Sequence, residues 1–187
     1  MIAPGTAADP GWIVAVSATE NSAGRLSPAN ESAARAAFDR YGCALLRGTF
    51  APATIEAMHR EYTAQLGAFD QKAMQALTTQ RSASRLIKVG DSRYDVVPRM
   101  TGGFGQPEVF ANNILLGFLR PLLGADLHLN SFTVVVAHPG AARQRPHRDY
   151  PHLFDSGAGL YLPVHAVNVV VPLEVPMTNR PLLLPLP

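Results

Sequence analysis

Two residues that commonly bind metal ions stand two positions apart in the second half of the chain. His147 and Asp149 lie in the segment Gln144–Tyr150. If this segment is extended, side chains at positions i and i+2 point the same way, so an imidazole nitrogen and a carboxylate oxygen can reach one ion. With a second histidine from a distant strand they would form a 2-His-1-carboxylate site, which suits Fe(II) and leaves positions open for a chelating keto acid and O₂.

Spacing alone also allows a simpler interpretation. A chain of 187 residues with six histidines should contain about 0.26 such pairs by chance, and an Asp–His hydrogen bond on a surface loop would give the same pattern. The context favours a metal site, because the pair follows a predicted strand and turn and precedes another predicted strand. His165 is the downstream candidate for a third ligand, although it stands close to Asp149 for a residue on the far side of a roll.

The elements that must position this pair change in character along the chain. Helical patterns come first and β-branched, alternating segments come later, which predicts an α+β fold with an antiparallel sheet or jelly roll. Residues 67–108 indicate a long loop region with short strands that could line a site, and Thr101–Gly105 within it indicates a flexible glycine-rich loop. The predicted helices cover about 28–41, 52–66 and 108–123, and the predicted strands 43–46, 127–137 and 164–173.

Local signals are clearest at the first helix. Ser27 is a suitable N-cap, Pro28 fits the first turn, and Gly42 would end the helix. Residues 1–25 are rich in Ala, Gly, Pro, Ser and Thr, so they predict a flexible leader in which a short strand could form near Trp12. Residues 182–187 predict an irregular Pro/Leu tail, because proline lacks the N–H that a central strand needs.

Composition argues against several classes of function. The net charge is +2 and there is no dense basic stripe, so we expect no nucleic-acid partner. The single cysteine, Cys43, gives no sign of an oxidising compartment. There is no run of roughly 20 apolar residues and no secretory signal, so we expect a cytoplasmic protein without a membrane partner. P-loop, dinucleotide-binding and nucleophile-elbow motifs are absent from the sequence.

Five segments occur in an order and spacing that resemble one known family. They are residues 26–42, 45–50, 93–95, 144–149 and 168–181. Together they resemble phytanoyl-CoA dioxygenase-like proteins. The first two look like the family's N-terminal helix and first strand, the fourth looks like its first metal-ligand motif, and the last is similar to the next strand and its acidic-x-x-x-x-Asn-Gly-Pro turn. The resemblance covers residues 26–181, which we expect to form one domain.

The resemblance implies a fold and a reaction. The fold is a double-stranded β-helix (jelly roll) with N-terminal helices packed on it. Fe(II) would be held by His147, Asp149 and a later histidine, and 2-oxoglutarate by an arginine beyond that histidine. With O₂, the keto acid would be cleaved to succinate and CO₂ while a small-molecule substrate is hydroxylated. The metal and the co-substrate supply the chemistry and the protein orients them.

Further site residues are candidates for binding rather than for catalysis. Beyond the metal ligands His147 and Asp149, we predict no catalytic residue. The side chains that could contact the co-substrate or the substrate are Gln144, Tyr150, Asn168, Arg93 and Arg99.

The sequence departs from the family pattern after Asn179. Arg180 stands where the family has glycine, and no histidine follows His165. We therefore expect a truncated or shifted reading frame, an incomplete β-helix with open strand edges, and impaired activity. Two other interpretations stay open, a non-catalytic jelly-roll binding module and an unrelated jelly-roll metal protein that uses His165.

Overall fold

The computed structural model describes residues 11–67, 72, 74, 85–145, 147, 149 and 163–174. Its helices are α1 (Ala18–Ala23), α2 (Pro28–Tyr41), α3 (Pro52–Leu66), α4 (Pro107–Phe110) and α5 (Asn113–Leu123). Its strands are β1 (Ile13–Ala15), β2 (Leu45–Arg47), β3 (Leu86–Gly90), β4 (Arg93–Val96) and β5 (Val134–Ala137). Helices together with a small antiparallel sheet agree with the predicted α+β class, whereas a complete double-stranded β-helix stays a prediction.

The chain divides into two compact units. The first contains the described residues of 11–52 and 111–126 together with residue 174, and the second those of 53–110 and 127–173. In the part of the chain described above, no helix is long and apolar enough to cross a bilayer.

Helix α2, in the first unit, confirms the local signals of the sequence. The Ser27 side chain accepts a hydrogen bond from the Asn30 N–H at 3.3 Å, and Pro28 occupies the first turn. Gly42 ends the helix with φ 70°, and its N–H donates to the Phe38 carbonyl at 2.8 Å. Glycine fits this left-handed position because it has no Cβ.

The flexible leader predicted for residues 1–25 is corrected between residues 13 and 23. Strand β1 pairs in parallel with β2, and Ile13 lies opposite Leu45. Helix α1 begins with a capping box, in which the Ser17 hydroxyl accepts from the Glu20 N–H and the Glu20 carboxylate accepts from the Ser17 N–H. The Ser-x-x-Glu spacing is the signal that the compositional argument missed. Residues 1–10 lie outside the described residues.

The second unit is built around the antiparallel sheet β3–β4–β5. Tyr94 and Val96 of β4 lie opposite Val136 and Val134 of β5, and these four side chains belong to one apolar cluster. Because neighbouring side chains of a strand alternate between faces, Arg93 and Asp95 lie on the opposite face of β4. The sheet therefore has one core face and one face with a guanidinium and a carboxylate.

The glycine-rich loop is held against helix α3. A Cβ at Gly103 would collide with the Ala57 carbonyl of that helix, and the neighbouring Phe104 is 1% exposed. Thr101 donates from its hydroxyl to the Glu61 carboxylate at 3.0 Å. The segment is a loop, as predicted, and it packs on α3 because the missing side chain of Gly103 allows two backbones to approach closely.

Three predicted elements have different bounds in the structure, and the first is the predicted strand 43–46, which is observed as Leu45–Arg47. The predicted helix 108–123 is divided into α4 and α5, because the Asn112 side chain accepts from the Leu115 N–H at 3.2 Å and so caps a new helix. Only Val134–Ala137 of the predicted strand 127–137 is paired.

The predicted strand 164–173 is wrong, because residues 163–172 have no strand assignment. Pro172 lacks a backbone donor. Val171 and Leu173 instead pack against a buried cluster of Met58, Phe104 and Val109. The β-branched composition of residues 164–173 therefore indicates apolar packing on the core, but these residues form no backbone pairing with a strand.

Candidate metal centre

His147 and Asp149 converge in the structure as the i, i+2 spacing predicts. The His147 Nε2 and Asp149 Oδ1 atoms are 3.2 Å apart, and the two side chains are 50% and 55% exposed. Both groups are therefore close to each other and accessible from solvent. An imidazole nitrogen beside a carboxylate oxygen is a donor set that divalent transition metals accept.

The main chain orients the histidine ring. The His147 Nδ1 atom is 2.8 Å from the Arg145 carbonyl oxygen. Since a carbonyl only accepts, Nδ1 must carry the proton, and in the neutral ring Nε2 keeps its lone pair. This is the tautomer in which Nε2 can bind a metal, and metal-binding histidines are commonly oriented by such a hydrogen bond.

A residue from the following segment contacts the carboxylate. The Asn168 side-chain amide donates to Asp149 Oδ2, whereas Oδ1 faces His147 Nε2. The two oxygens of Asp149 therefore have different partners. The sequence predicts that Asn168 contacts co-substrate or substrate, which stays a prediction, and the structure shows its amide bonded to Asp149.

Arg93 and Asp95 lie on the polar face of β4, and both are only partly exposed. The Arg93 guanidinium donates to the Ala142 carbonyl at 3.1 Å, which connects β4 to the loop before the His-x-Asp pair. Burial raises the pKa of Asp95, the charge of Asp149 adds to this rise, and the Arg93 guanidinium opposes it.

The hydrogen bond from Arg93 to the Ala142 carbonyl places this face of β4, which also carries Asp95, beside the loop that leads to the pair. Asp95 is not among the site residues predicted from the sequence, although its position two residues after Arg93 on a strand was the available signal.

Among the described residues, the remaining candidates make no hydrogen bond or ion pair with His147 or Asp149. The Arg99 side chain is exposed, and its backbone N–H and carbonyl bond the Gln65 side chain at 2.7 and 2.9 Å. Gln144 is exposed, and Tyr150 lies outside the described residues. His165 is exposed, and within residues 11–67, 72, 74, 85–145, 147, 149 and 163–174 no group of three His, Cys, Asp or Glu side chains could hold a metal ion.

The observed pair fits two neighbouring positions of a six-coordinate metal. Bonds of about 2.1 Å at right angles place adjacent donor atoms about 3 Å apart, close to the observed 3.2 Å. The donor types and their separation would therefore suit two neighbouring positions of Fe(II).

Comparison with protein families agrees with this chemistry. The model of the phytanoyl-CoA dioxygenase (PhyH) family matches residues 38–179, a span that contains α3, the β3–β4–β5 sheet and the His-x-Asp pair. A search among curated proteins found no match.

Proposed function

Because the chain belongs to the phytanoyl-CoA dioxygenase family, we propose that it has the Fe(II)- and 2-oxoglutarate-dependent oxygenase function, with His147 and Asp149 as metal ligands. The observation that carries this proposal is the convergence of His147 Nε2 and Asp149 Oδ1 at 3.2 Å. Each ligand also has its second polar atom held by another group.

The protein's part in this function is to bind and to orient. His147 presents Nε2 because its Nδ1–H is held by the Arg145 carbonyl. Asp149 presents Oδ1 because its other oxygen is held by Asn168. Bound Fe(II), with 2-oxoglutarate and O₂ as co-substrates, supplies the oxidising power for hydroxylation of a C–H bond in a small-molecule substrate.

The polar face of β4 is the part of the fold that we propose for substrate contact. Arg93 and Asp95 share that face and lie near the loop that carries the ligands. A guanidinium beside a partly buried carboxylate can bind complementary groups of a polar ligand. Arg99 contributes to the fold through its backbone.

We further propose that metal binding by these 187 residues is weak. Among the residues that the structure describes, no third His, Cys, Asp or Glu side chain joins His147 and Asp149. Two ligands hold a metal less tightly than three, so the catalytic rate should be low even where the family chemistry is retained. A non-catalytic binding module should bind no metal, whereas a site that uses His165 should lose its metal when His165 is replaced.

Anaerobic titration of the purified chain with Fe(II) in the presence of 2-oxoglutarate tests the proposal. We expect a weak metal-to-ligand charge-transfer band that is absent from His147→Ala. The matched control is His128→Ala, because His128 is an exposed histidine before β5 and this substitution should leave the band unchanged.

The outcomes separate the alternatives. Absence of a band in the wild-type chain would contradict the oxygenase centre and support the binding module. Loss of the band in His165→Ala would identify His165 as a ligand. A band that survives His147→Ala would exclude the proposed pair.

A further inference from the structure

The two oxygens of Asp149 are in unequal environments. Oδ2 accepts a hydrogen bond from the Asn168 amide, and Oδ1 faces His147 Nε2 at 3.2 Å. A carboxylate can bind a metal through one oxygen or through both. The hydrogen bond to Oδ2 therefore distinguishes between two modes of metal binding that the sequence alone leaves equivalent.

The number of bound oxygens matters in a 2-His-1-carboxylate site. A 2-His-1-carboxylate site needs a second histidine beside the pair, and Fe(II) held by that histidine, by His147 and by one carboxylate oxygen would keep three positions for a chelating keto acid and O₂. If the carboxylate binds through both oxygens, it takes one of those three positions. A group that holds the second oxygen away from the metal therefore preserves the capacity for co-substrate.

We propose that Asn168 is a positioning residue that restricts Asp149 to binding the metal through Oδ1 alone. This inference rests on the proposed function, because it assumes that Asp149 is a ligand. It goes beyond that function by assigning to Asn168 the control of how many positions stay open for 2-oxoglutarate and O₂.

The chemistry of the asparagine side chain suits this role. Its amide N–H₂ group donates a hydrogen bond without a net charge. A lysine or arginine at the same place would also bind Oδ2, but its positive charge would repel the metal ion. A neutral donor holds one oxygen and leaves the full charge of the carboxylate for the cation.

The segment that carries Asn168 is anchored to the core. Val171 and Leu173 pack against the buried cluster that contains Met58 and Phe104. Asn168 itself is exposed, so the packing of its neighbours rather than its own burial holds it near Asp149. Residues 164–173, which were predicted as a strand, thus position the Asn168 amide so that it can donate to the proposed ligand Asp149.

The test compares three full-length variants. Asn168→Leu has a similar size and no donor, Asn168→Gln keeps the amide, and Asn130→Leu makes the same change at another exposed asparagine. Mn(II) affinity is measured from the electron paramagnetic resonance signal of the free ion. The 2-oxoglutarate affinity is measured anaerobically from the charge-transfer band of the Fe(II) complex, and circular dichroism checks that each variant is folded.

We expect Asn168→Leu to bind 2-oxoglutarate roughly tenfold more weakly with a shifted band, while Mn(II) affinity changes less. Asn168→Gln should restore the wild-type band at least in part, and Asn130→Leu should match the wild type.

Unchanged 2-oxoglutarate affinity and an unchanged band in folded Asn168→Leu overturn the positioning role alone. An equal loss of Mn(II) and 2-oxoglutarate affinity overturns it too, since it indicates general disruption of the site. Failure of the wild-type chain to bind Mn(II) or Fe(II) overturns the proposed function together with this inference.

Discussion

Glu20 and Asp149 are two carboxylates of one chain whose surroundings differ in kind. Glu20 is 7% exposed and accepts hydrogen bonds from the Ser17 N–H and hydroxyl at 2.8 Å each and from the Ser27 N–H at 2.6 Å. The Asn30 amide lies at 2.9 and 3.0 Å from its two oxygens. Asp149 is 55% exposed and is bonded by Asn168 at one oxygen, while its other oxygen faces the His147 imidazole.

The difference shows how partners decide what a carboxylate does. Both carboxylate oxygens of Glu20 accept hydrogen bonds from protein donors, and the hydrogen bond from the backbone N–H of Ser17 is the main cause that lowers its pKa to about 2. Such a group joins α1 to α2 and has little capacity left for a ligand. One oxygen of Asp149 accepts a hydrogen bond from Asn168, and the other lies beside the His147 Nε2 atom, so this second oxygen can bind a cation together with Nε2.

The largest effect should follow from removing the charge of Asp149. Asp149→Asn keeps a similar shape but weakens the donor set, and Mn(II) binding should fall by on the order of 100-fold or more. Loss of a group that only supports a ligand already weakens binding by about 10- to 100-fold, and loss of the ligand itself should exceed that. Titration followed by electron paramagnetic resonance measures the change.

Glu20→Gln is the matched carboxylate-to-amide change for this experiment. It should leave the Mn(II) dissociation constant as in the wild type, because Glu20 makes its contacts with Ser17, Ser27 and Asn30. The contrast between the carboxylates breaks down if Glu20→Gln weakens metal binding as strongly as Asp149→Asn does.

In a stability measurement, substitution of Glu20 should have the larger effect and substitution of Asp149 the smaller one, the reverse of their order in metal binding. Glu20→Ala removes the acceptor of the capping box and leaves the Ser27 N–H without its acceptor, whereas the Asn30 amide keeps its hydrogen bond to the Ala15 carbonyl. Loss of a helix cap should lower the melting temperature by roughly 2–6 °C. Asp149→Ala should change it by less than about 2 °C, since its side chain is exposed.

Thermal unfolding followed by circular dichroism at 222 nm gives both values. A larger decrease for Asp149→Ala than for Glu20→Ala would show that the exposed carboxylate is the structural one.

Acid should weaken the contribution of Glu20 in a defined pH range. Its pKa is about 2 in the folded chain and 4.5 ordinarily, so the unfolded chain takes up a proton first as the pH falls. The stabilisation is complete above about pH 4.5 and is lost as the pH decreases toward 2. Urea unfolding of the wild type and Glu20→Gln at pH 7, 5, 4 and 3 should show a stability difference that shrinks with acid, and a constant difference would contradict this assignment.

The features of the fold and of the site that were predictable from the sequence are those that depend on neighbouring residues. Ser27, Pro28 and Gly42 predict the bounds of α2 because capping depends on neighbouring residues. The i, i+2 spacing of His147 and Asp149 likewise predicts their convergence. The Ser17-x-x-Glu20 box was equally local, but the general composition of residues 1–25 concealed it.

Other parts were not predictable because they depend on contacts between distant segments. Asn168 reaches Asp149 across 19 residues, and no periodicity in the sequence connects the two. Residues 164–173 were predicted as a strand because β-branched residues favour surfaces that pack. Such composition reports apolar packing, which Val171 and Leu173 do provide, but it does not report backbone pairing.

The smallest expected changes in the free energy of unfolding come from two buried hydroxyls, one without a hydrogen-bond partner among the described residues and one with a partner. Tyr94 is fully buried, and its hydroxyl has no hydrogen-bond partner among the described residues. The buried Thr49 hydroxyl donates to the Leu46 carbonyl at 2.9 Å. If partners rather than burial decide the contribution of a polar group, Tyr94→Phe should leave the free energy of unfolding unchanged or raise it by up to about 1 kcal/mol, whereas Thr49→Val should lower it by about 1 kcal/mol. Urea unfolding at pH 7 measures both changes. An equal loss of stability in Tyr94→Phe and Thr49→Val would mean that burial alone sets the contribution of a polar group. The comparison of Glu20 with Asp149 would then lose its basis, because it assumes that hydrogen-bond partners decide that contribution.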